Sequence, residues 1–319
     1  MTDAFLRIKQ ASIYYDREDK EEKICLTNGS KIPYESVTVI PSVGNSPNAA
    51  AAATKLGLKT ALVTNLGDDK FGQECIEELR ERGIDTTFVS IQDGKASNYH
   101  YVLWHEAERT ILIKHEEYDY ILPDIGTPKW IYFSSVGENS MDYHHAISRY
   151  LIDHPETKLA FQPGTFQIKL GYEKLKDLYE VSSAFFCNKE EAQLILKSDE
   201  TDTANLARHM SERGPKISVI TDGPNGAYAY DGINTWFMPI YPDPAPPYER
   251  TGAGDGFSST FTSALALGLS VEDALRWAPI QSMSIVQKIG AQEGQLTRAE
   301  LEKYLADAPE NYYPRKIQR

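Results

Sequence analysis

Three short apolar runs, at residues 158–161, 184–187 and 217–221, recur along the second half of the chain with helical patterns between them. This alternation constrains the fold more than any other feature. Strands that apolar are covered on both faces, and strand–helix alternation makes them neighbours in a parallel sheet. The intervening helical patterns lie at 141–152, 172–180, 189–197 and 202–213. The expectation is an α/β fold, a central mostly parallel sheet flanked by helices. Residues 129–134 predict a further buried strand, and 227–230 with 235–238 a hairpin around Asp231-Gly232. The five prolines of 239–247 require an extended connection, and 256–267, 271–289 and 298–306 predict closing helices.

The first half alternates less regularly. Residues 37–40 read as a β-branched strand and 60–64 as another. Ser46-Pro47 opens a helix, with Ser46 as N-cap and Gly57 just past the end. Asp68 caps a second helix that carries Phe71, Cys75, Ile76 and Leu79 on one face. Residues 98–104 and 110–114 predict a hairpin around 105–109. The first 40 residues are charged and strand-like, so they are placed with this hairpin in a small β lid. The lid segments span about 6–41 and 95–118 of a single domain covering 1–319.

Charge excludes some functions. With 33 Lys+Arg against 46 Asp+Glu the net charge is −13, unsuited to nucleic acid or anionic membranes. Any bound phosphate must be held by backbone N–H groups or a metal ion. Cys25, Cys75 and Cys187 are far apart and read as reduced thiols. No apolar run of about 18 residues occurs, and Met1-Thr2-Asp3-Ala4-Phe5-Leu6 lacks the build of a signal peptide. The expected location is cytoplasmic. His105-Glu106 and His144-His145 lack metal-ligand spacing, and neither a Gly-x-Ser-x-Gly elbow nor a Walker loop is present.

The segment Glu249-Arg250-Thr251-Gly252-Ala253-Gly254-Asp255 ahead of a long apolar helix carries the most chemistry. Its glycines allow a tight turn that aims N–H groups at one spot, and the helix adds its own free N–H groups and dipole. The product is an anion hole beside a carboxylate able to accept the proton of a hydroxyl. The plainer alternative is that Asp255 caps the helix.

Thr-Gly-Ala-Gly-Asp before a helix resembles the second signature of the PfkB (ribokinase-like) carbohydrate kinase family. Four further stretches resemble that family in the same order. They are Gly44-x-x-x-Asn48 with Leu56-Gly57, Gly67-Asp68-Asp69-x-Phe71-Gly72 and Gly83-Ile84-Asp85-Thr86; Asn188-x-x-Glu191; Thr221-Asp222-Gly223-Pro224-Asn225-Gly226; and Gly290-Ala291. The resemblance implies a ribokinase-like fold and transfer of the γ-phosphate of ATP to a hydroxyl of a sugar or related small molecule. It implies Asp255 as general base and Gly252, Ala253 and Gly254 as anion hole. Asn188, Thr221, Gly223, Gly226, Thr251 and Gly290 would border ATP. Glu191 would organise Mg²⁺ through water, as suits a cation that keeps several waters. Asp3, Gly44 and Asn48 would face the acceptor.

Three positions depart from the family pattern. Glu249-Arg250 stands where Asp-Thr is usual, next to a monovalent-cation site in several members, which leaves potassium dependence open. Val43-Gly44 replaces a glycine pair. The usual apolar first strand ahead of the Asp at position 3 is absent, so the first core strand is expected to be missing and the sheet gapped, rearranged or completed by a partner. A nucleoside kinase and a non-catalytic nucleotide- or sugar-binding relative remain alternatives. Gln162-Pro163-Gly164-Thr165, after a predicted strand, is a pocket candidate without an assigned role. A homodimer through the lid is a further expectation.

Overall fold

A computed structural model describes residues 1–18, 20–105 and 108–317. The chain opens with β1 (Thr2–Arg7), the hairpin β2 (Ser12–Asp16) and β3 (Glu21–Cys25), and β4 (Ser36–Ile40). Then come α1 (Asn45–Lys55), β5 (Thr64–Gly67), α2 (Lys70–Glu81), β6 (Val89–Gln92), β7 (Tyr99–His105) and β8 (Glu108–Leu112). The next stretch holds β9 (Trp130–Phe133), α3 (Met141–Asp153), β10 (Lys158–Phe161), α4 (Thr165–Leu170), α5 (Tyr172–Val181) and β11 (Ser182–Asn188). It continues with α6 (Lys189–Leu196), α7 (Thr203–Ser211), β12 (Ile217–Thr221), β13 (Ala227–Tyr230) and β14 (Thr235–Met238). Helices α8 (Ala253–Ala266), α9 (Val271–Ile285) and α10 (Arg298–Ala306) and strand β15 (Arg315–Ile317) end it.

The main sheet runs β15-β14-β13-β12-β11-β10-β9. Strands β9 to β12 pair in parallel, and β13 to β15 continue antiparallel. The sheet is thus parallel in one half only, because the tight turn at Asp222–Gly226 reverses the chain after β12. Phe161, Phe185, Leu206 and Tyr179 fill one face and Phe186, Phe261, Leu275 and Met238 the other, all buried. Both faces of the parallel strands are covered, which is why they read as continuous apolar runs.

A second sheet, β4-β1-β7-β8, stands where a lid was expected. It begins at Thr2, earlier than the boundary read from charge patterning, because β1 pairs with β4 and β7 from that residue on. The first strand of the chain therefore joins this sheet and not the central one. Among the described residues, strands β5 and β6 pair with each other and with no other named strand. A cavity of about 620 Å³ is lined by residues of β5 and β6 and by Ser135, Val136 and Gly137 just beyond β9.

Several local expectations shift. Gly44, not Ser46, is the N-cap of α1, and its φ of 114° suits only glycine. Asp69, not Asp68, caps α2, accepting from Gly72 N, while Asp68 accepts from Gly94 N. The strand expected at 60–64 begins at Thr64, and α9 stops at Ile285. The turn expected at 105–109 lies partly outside the described residues, as does Glu106. No helix of the described residues is long and apolar enough to cross a membrane.

Candidate active site

Helix α8 begins where backbone geometry demands glycine. Gly252 is its N-cap with φ +80°, and a Cβ there would collide with Cβ of Ala291. Ala253, Gly254 and Asp255 follow as the first turn, where helix geometry leaves N–H groups without intrahelical acceptors. A Cβ on Gly254 would meet nothing within 4 Å, so the backbone faces open space there.

Asp255 is not the helix cap. It is 9% exposed, and its carboxylate turns away to three side-chain amides. Asn45 Nδ2 donates to Oδ1 at 2.7 Å, Asn48 Nδ2 to Oδ2 at 2.9 Å and Gln162 Nε2 to Oδ1 at 3.3 Å. Burial pushes its pKa up, and the amides, Asn48 foremost, oppose that shift. Asn45 and Asn48 share one face of α1, three residues apart. Asn48 is fixed in turn by Gln292, whose Nε2 donates to Asn48 Oδ1 at 2.9 Å. Gly44 packs against Met1: a Cβ would stand 2.7 Å from the methionine Cε.

Two cavities flank this carboxylate. The larger, of about 620 Å³, is lined by Gly44 and Asn45 together with Asn65, Asn98, Tyr118 and Tyr143. The other, of about 450 Å³, is lined by Thr221, Gly223, Gly226, Arg250, Ala253 and Gly254, with Phe257, Met283 and Val286 supplying apolar wall. Gly223 and Gly226 have φ of 51° and 92°, and a Cβ at Gly226 would run into the Met238 carbonyl.

Asn188 and Glu191 sit at the start of α6 as a reciprocal cap: Glu191 N donates to Asn188 Oδ1 at 2.8 Å, and Asn188 N to Glu191 Oε2 at 2.9 Å. Burial raises the Glu191 pKa, and the Asp255 charge adds to the rise, so the two carboxylates feel each other. Among the described residues no group of three His, Cys, Asp or Glu could cage a metal ion directly.

Other expected residues are placed differently. Thr251 turns to Glu249, donating its N–H at 2.7 Å and its hydroxyl to Oε1. Gly290 is not among the residues lining the 450 Å³ cavity; it lies under β1 and β4, where a Cβ would collide with Ile40, and its N–H donates to Glu249 Oε2 at 3.3 Å. Glu249 is 2% exposed, and Arg109 of β8 reaches its Oε1 at 3.3 Å. Asp3, 7% exposed on β1, has Oδ1 3.6 Å from His100 Nδ1. Burial raises Asp3 to about 6 and lowers His100 to about 4.

Sequence reasoning missed Asn45, Arg109, Gln292 and the role of Gln162. Helical spacing from Asn48 was a usable signal for Asn45. The other three reach the site from distant segments, which no local pattern marks.

The family described as pfkB family carbohydrate kinase matches residues 11–298. The chain belongs to that family. A carbohydrate kinase of this kind moves a phosphoryl group from ATP to a sugar hydroxyl, and that is the activity class of this kinase. Among curated relatives, it is 25% identical to a ribokinase of Bacillus subtilis over 287 residues, covering 87% of this chain and 92% of the relative. It is 24% identical to a 5-dehydro-2-deoxygluconokinase of Bacillus licheniformis over 298 residues, covering 85% and 89%. The fold of the kinase matches Arabidopsis thaliana ribokinase complexed with ribose and ATP, with TM-score 0.78, 18% identity and 95% of both chains covered. It also matches a nucleoside kinase of Methanocaldococcus jannaschii, with TM-score 0.75, 16% identity, and 96% and 95% covered.

Proposed function

We propose that this kinase, one domain over residues 1–319 with the β4-β1-β7-β8 sheet as lid, uses Asp255 to activate a sugar hydroxyl for attack on the γ-phosphorus of ATP. The position of Asp255 carries the reading. Its own helix turn lines the 450 Å³ cavity, and the Asn45 amide that holds it lines the 620 Å³ cavity. A carboxylate between these two spaces is where a proton must go when an acceptor oxygen attacks.

The step balances simply. The acceptor O–H gives its proton to the Asp255 carboxylate, the oxygen bonds to the γ-phosphorus, and the bond from phosphorus to the β,γ-bridging oxygen breaks, releasing ADP. The N–H groups of Gly252, Ala253 and Gly254 meet the charge on the moving phosphoryl group. Thr221, Gly223 and Gly226 border the nucleotide. Thr251 and Gly290 act at one remove, through Glu249. Gly44, Asn48 and Asp3 belong to the acceptor side. Glu191, its pKa raised by burial and by the nearby Glu190 and Asp255 charges, fits a role toward a divalent cation held mainly through water. Mg²⁺, when bound, would neutralise charge on the ATP phosphates.

The residues fit a monovalent cation poorly. The Glu249 carboxylate is already met by the Arg109 guanidinium and the N–H groups of Thr251 and Gly290. Arg109 therefore supplies that charge, and potassium is not required. The lid exposes Val37, Val39, Tyr101 and Leu112 on one face at 48, 47, 49 and 51%. That face supports a homodimer through the lid, measurable as solution mass by light scattering. Three free cysteines suit a reducing cytoplasm.

An ATP-consumption assay over a panel of sugars and nucleosides tests the reading, with Asp255→Asn as control. Activity retained by that variant sinks the base assignment. A second reading, a nucleoside acceptor, is favoured by the aromatic wall of the larger cavity, where Phe88, Tyr118, Tyr120 and Tyr143 could stack a base. Faster turnover on nucleosides than on free sugars would select it.

A further inference from the structure

The Asp255 carboxylate is approached from two sides by amides that are themselves gripped by their oxygens. On one side Gln292 holds Asn48 Oδ1, so the Asn48 NH₂ points at Asp255 Oδ2. On the other side stands Gln162, just past the end of β10. Its backbone N–H is anchored to the Phe133 carbonyl at 2.9 Å. Its side-chain Oε1 accepts from the Tyr132 hydroxyl and lies 3.1 Å from Ser258 Oγ, leaving Nε2 for Asp255 Oδ1. Ser258 has a nearer acceptor, the Gly254 carbonyl at 2.5 Å, so its single proton is claimed there. Tyr132 is then the group that sets the direction of the Gln162 amide. The opposite orientation would set the amide oxygen against the ionised carboxylate, and two acceptors repel.

Asn45 differs from both. It lines the 620 Å³ cavity and has no second side chain gripping its oxygen among the described hydrogen bonds. An incoming acceptor hydroxyl must take a place on Asp255, and Asn45 is the amide free to yield it. Gln162 and Asn48 stay.

Resting on Asp255 as the base, we infer that Gln162 is a positioning residue: it holds the Asp255 carboxylate in its attacking rotamer, and the Tyr132 hydroxyl keeps the Gln162 amide turned the right way. Gln162 donates a hydrogen bond to the charged form, so it also favours the ionised carboxylate that the reaction requires.

The test labels aspartate side-chain carboxyls with ¹³C and follows Asp255 by NMR through a pH titration. The signal is identified by its loss in Asp255→Asn. In Gln162→Leu the midpoint should rise by roughly half a pH unit or more, since a donor to the charged form is gone. Tyr132→Phe should move it the same way by less, with Gln162→Asn between wild type and Gln162→Leu. Turnover of Gln162→Leu should fall most at low pH, with its acid limb moved up and KM for ATP unchanged. An unmoved midpoint in Gln162→Leu overturns the inference, as does a uniform loss of rate at every pH. A shift in Gln162→Leu with none in Tyr132→Phe removes Tyr132 from it. If Gln162→Leu does not fold, Gln162→Asn decides by the same titration, an unmoved midpoint overturning the inference. Absence of turnover in the wild type would count against the kinase reading, while the titration still decides whether Gln162 acts on Asp255.

Discussion

The proposed nucleotide side and the proposed acceptor side of this site are built from different materials. The first is largely backbone: the Gly252 turn, the first N–H groups of α8, and the glycine corner at Gly223 and Gly226. The second is side chain: Asn45, Asn48 and Gln162 on the carboxylate, and a cavity walled by tyrosines. Backbone anion sites recognise any phosphate in the same way, whereas side-chain walls fix which hydroxyl-bearing molecule enters. The two meet only at Asp255, so perturbations there and on either side should separate.

The largest effect is expected where they meet. Asp255→Asn keeps the shape but removes the proton acceptor and turns one oxygen that accepts from an amide into an NH₂, so kcat should fall about 10²–10⁴-fold with ATP affinity retained. Rapid-quench kinetics and nucleotide titration calorimetry measure the two together. In the wild type, burial raises the Asp255 pKa, so kcat should climb with pH through an acid limb above the ordinary carboxylate range. Next comes Gly252→Ala. Its φ of +80° and the collision with Ala291 should displace the anion hole, lowering kcat roughly 10²-fold while KM for the acceptor changes little. Adding Ala291→Gly removes only the Cβ–Cβ contact, leaving the position 291 Cα 2.7 Å away and the backbone strain, so steady-state rates should recover only in part.

The same contrast explains what the sequence disclosed. The glycine turn, the Asn188–Glu191 pair and the Thr221–Gly226 corner were legible because backbone geometry demands particular residues at fixed spacing. The parallel strands were legible because burial on both faces leaves an apolar run. The acceptor side was not. Gln162, Arg109 and Gln292 act from three separate segments, and only tertiary packing brings them to Asp255 and its turn. The start of the lid sheet at Thr2 was misjudged because β1 opens on polar and charged Thr2-Asp3 and ends on Arg7, and pairing with β4 and β7 outweighs that composition. Asp255 itself read as a cap or a base. The amides around it exclude the cap, since a cap would bond to its own helix.

A smaller effect probes how the lid is tied to the glycine turn. Arg109→Met leaves the 2%-exposed Glu249 carboxylate without its cation. Because Arg109 is 30% exposed, solvent screening limits the loss to about 1–2 kcal/mol, read by urea denaturation. Exchanging potassium for sodium should leave the wild-type rate unchanged. The variant should instead gain activity with added guanidinium or a monovalent cation. A wild-type rate that collapses without potassium would overturn the assignment of Arg109 as the resident charge.

The smallest effect lies in the β4-β1-β7-β8 sheet, in the buried Asp3–His100 pair. Asp3 has a folded pKa of about 6 against an ordinary 3.8, so between those values the folded state keeps a proton that the unfolded chain has lost. Its contribution therefore falls as pH rises through that window. His100 has a folded pKa of about 4 against an ordinary 6.5, so in that range the unfolded chain holds the extra proton, and its contribution grows as pH rises. The two slopes oppose and nearly cancel in the wild type. Single variants should unmask them. Of the pair, His100→Gln keeps the Asp3 slope and should lose stability relative to wild type from pH 5 to pH 7; Asp3→Asn keeps the His100 slope and should gain stability relative to wild type over the same range. Each difference is on the order of 1–2 kcal/mol, measured by urea denaturation at the two values. Parallel pH dependence in both variants would show that the pair is not buried together as the lid sheet places it. None of these changes should alter ATP affinity, because the nucleotide side depends on backbone that neither residue touches.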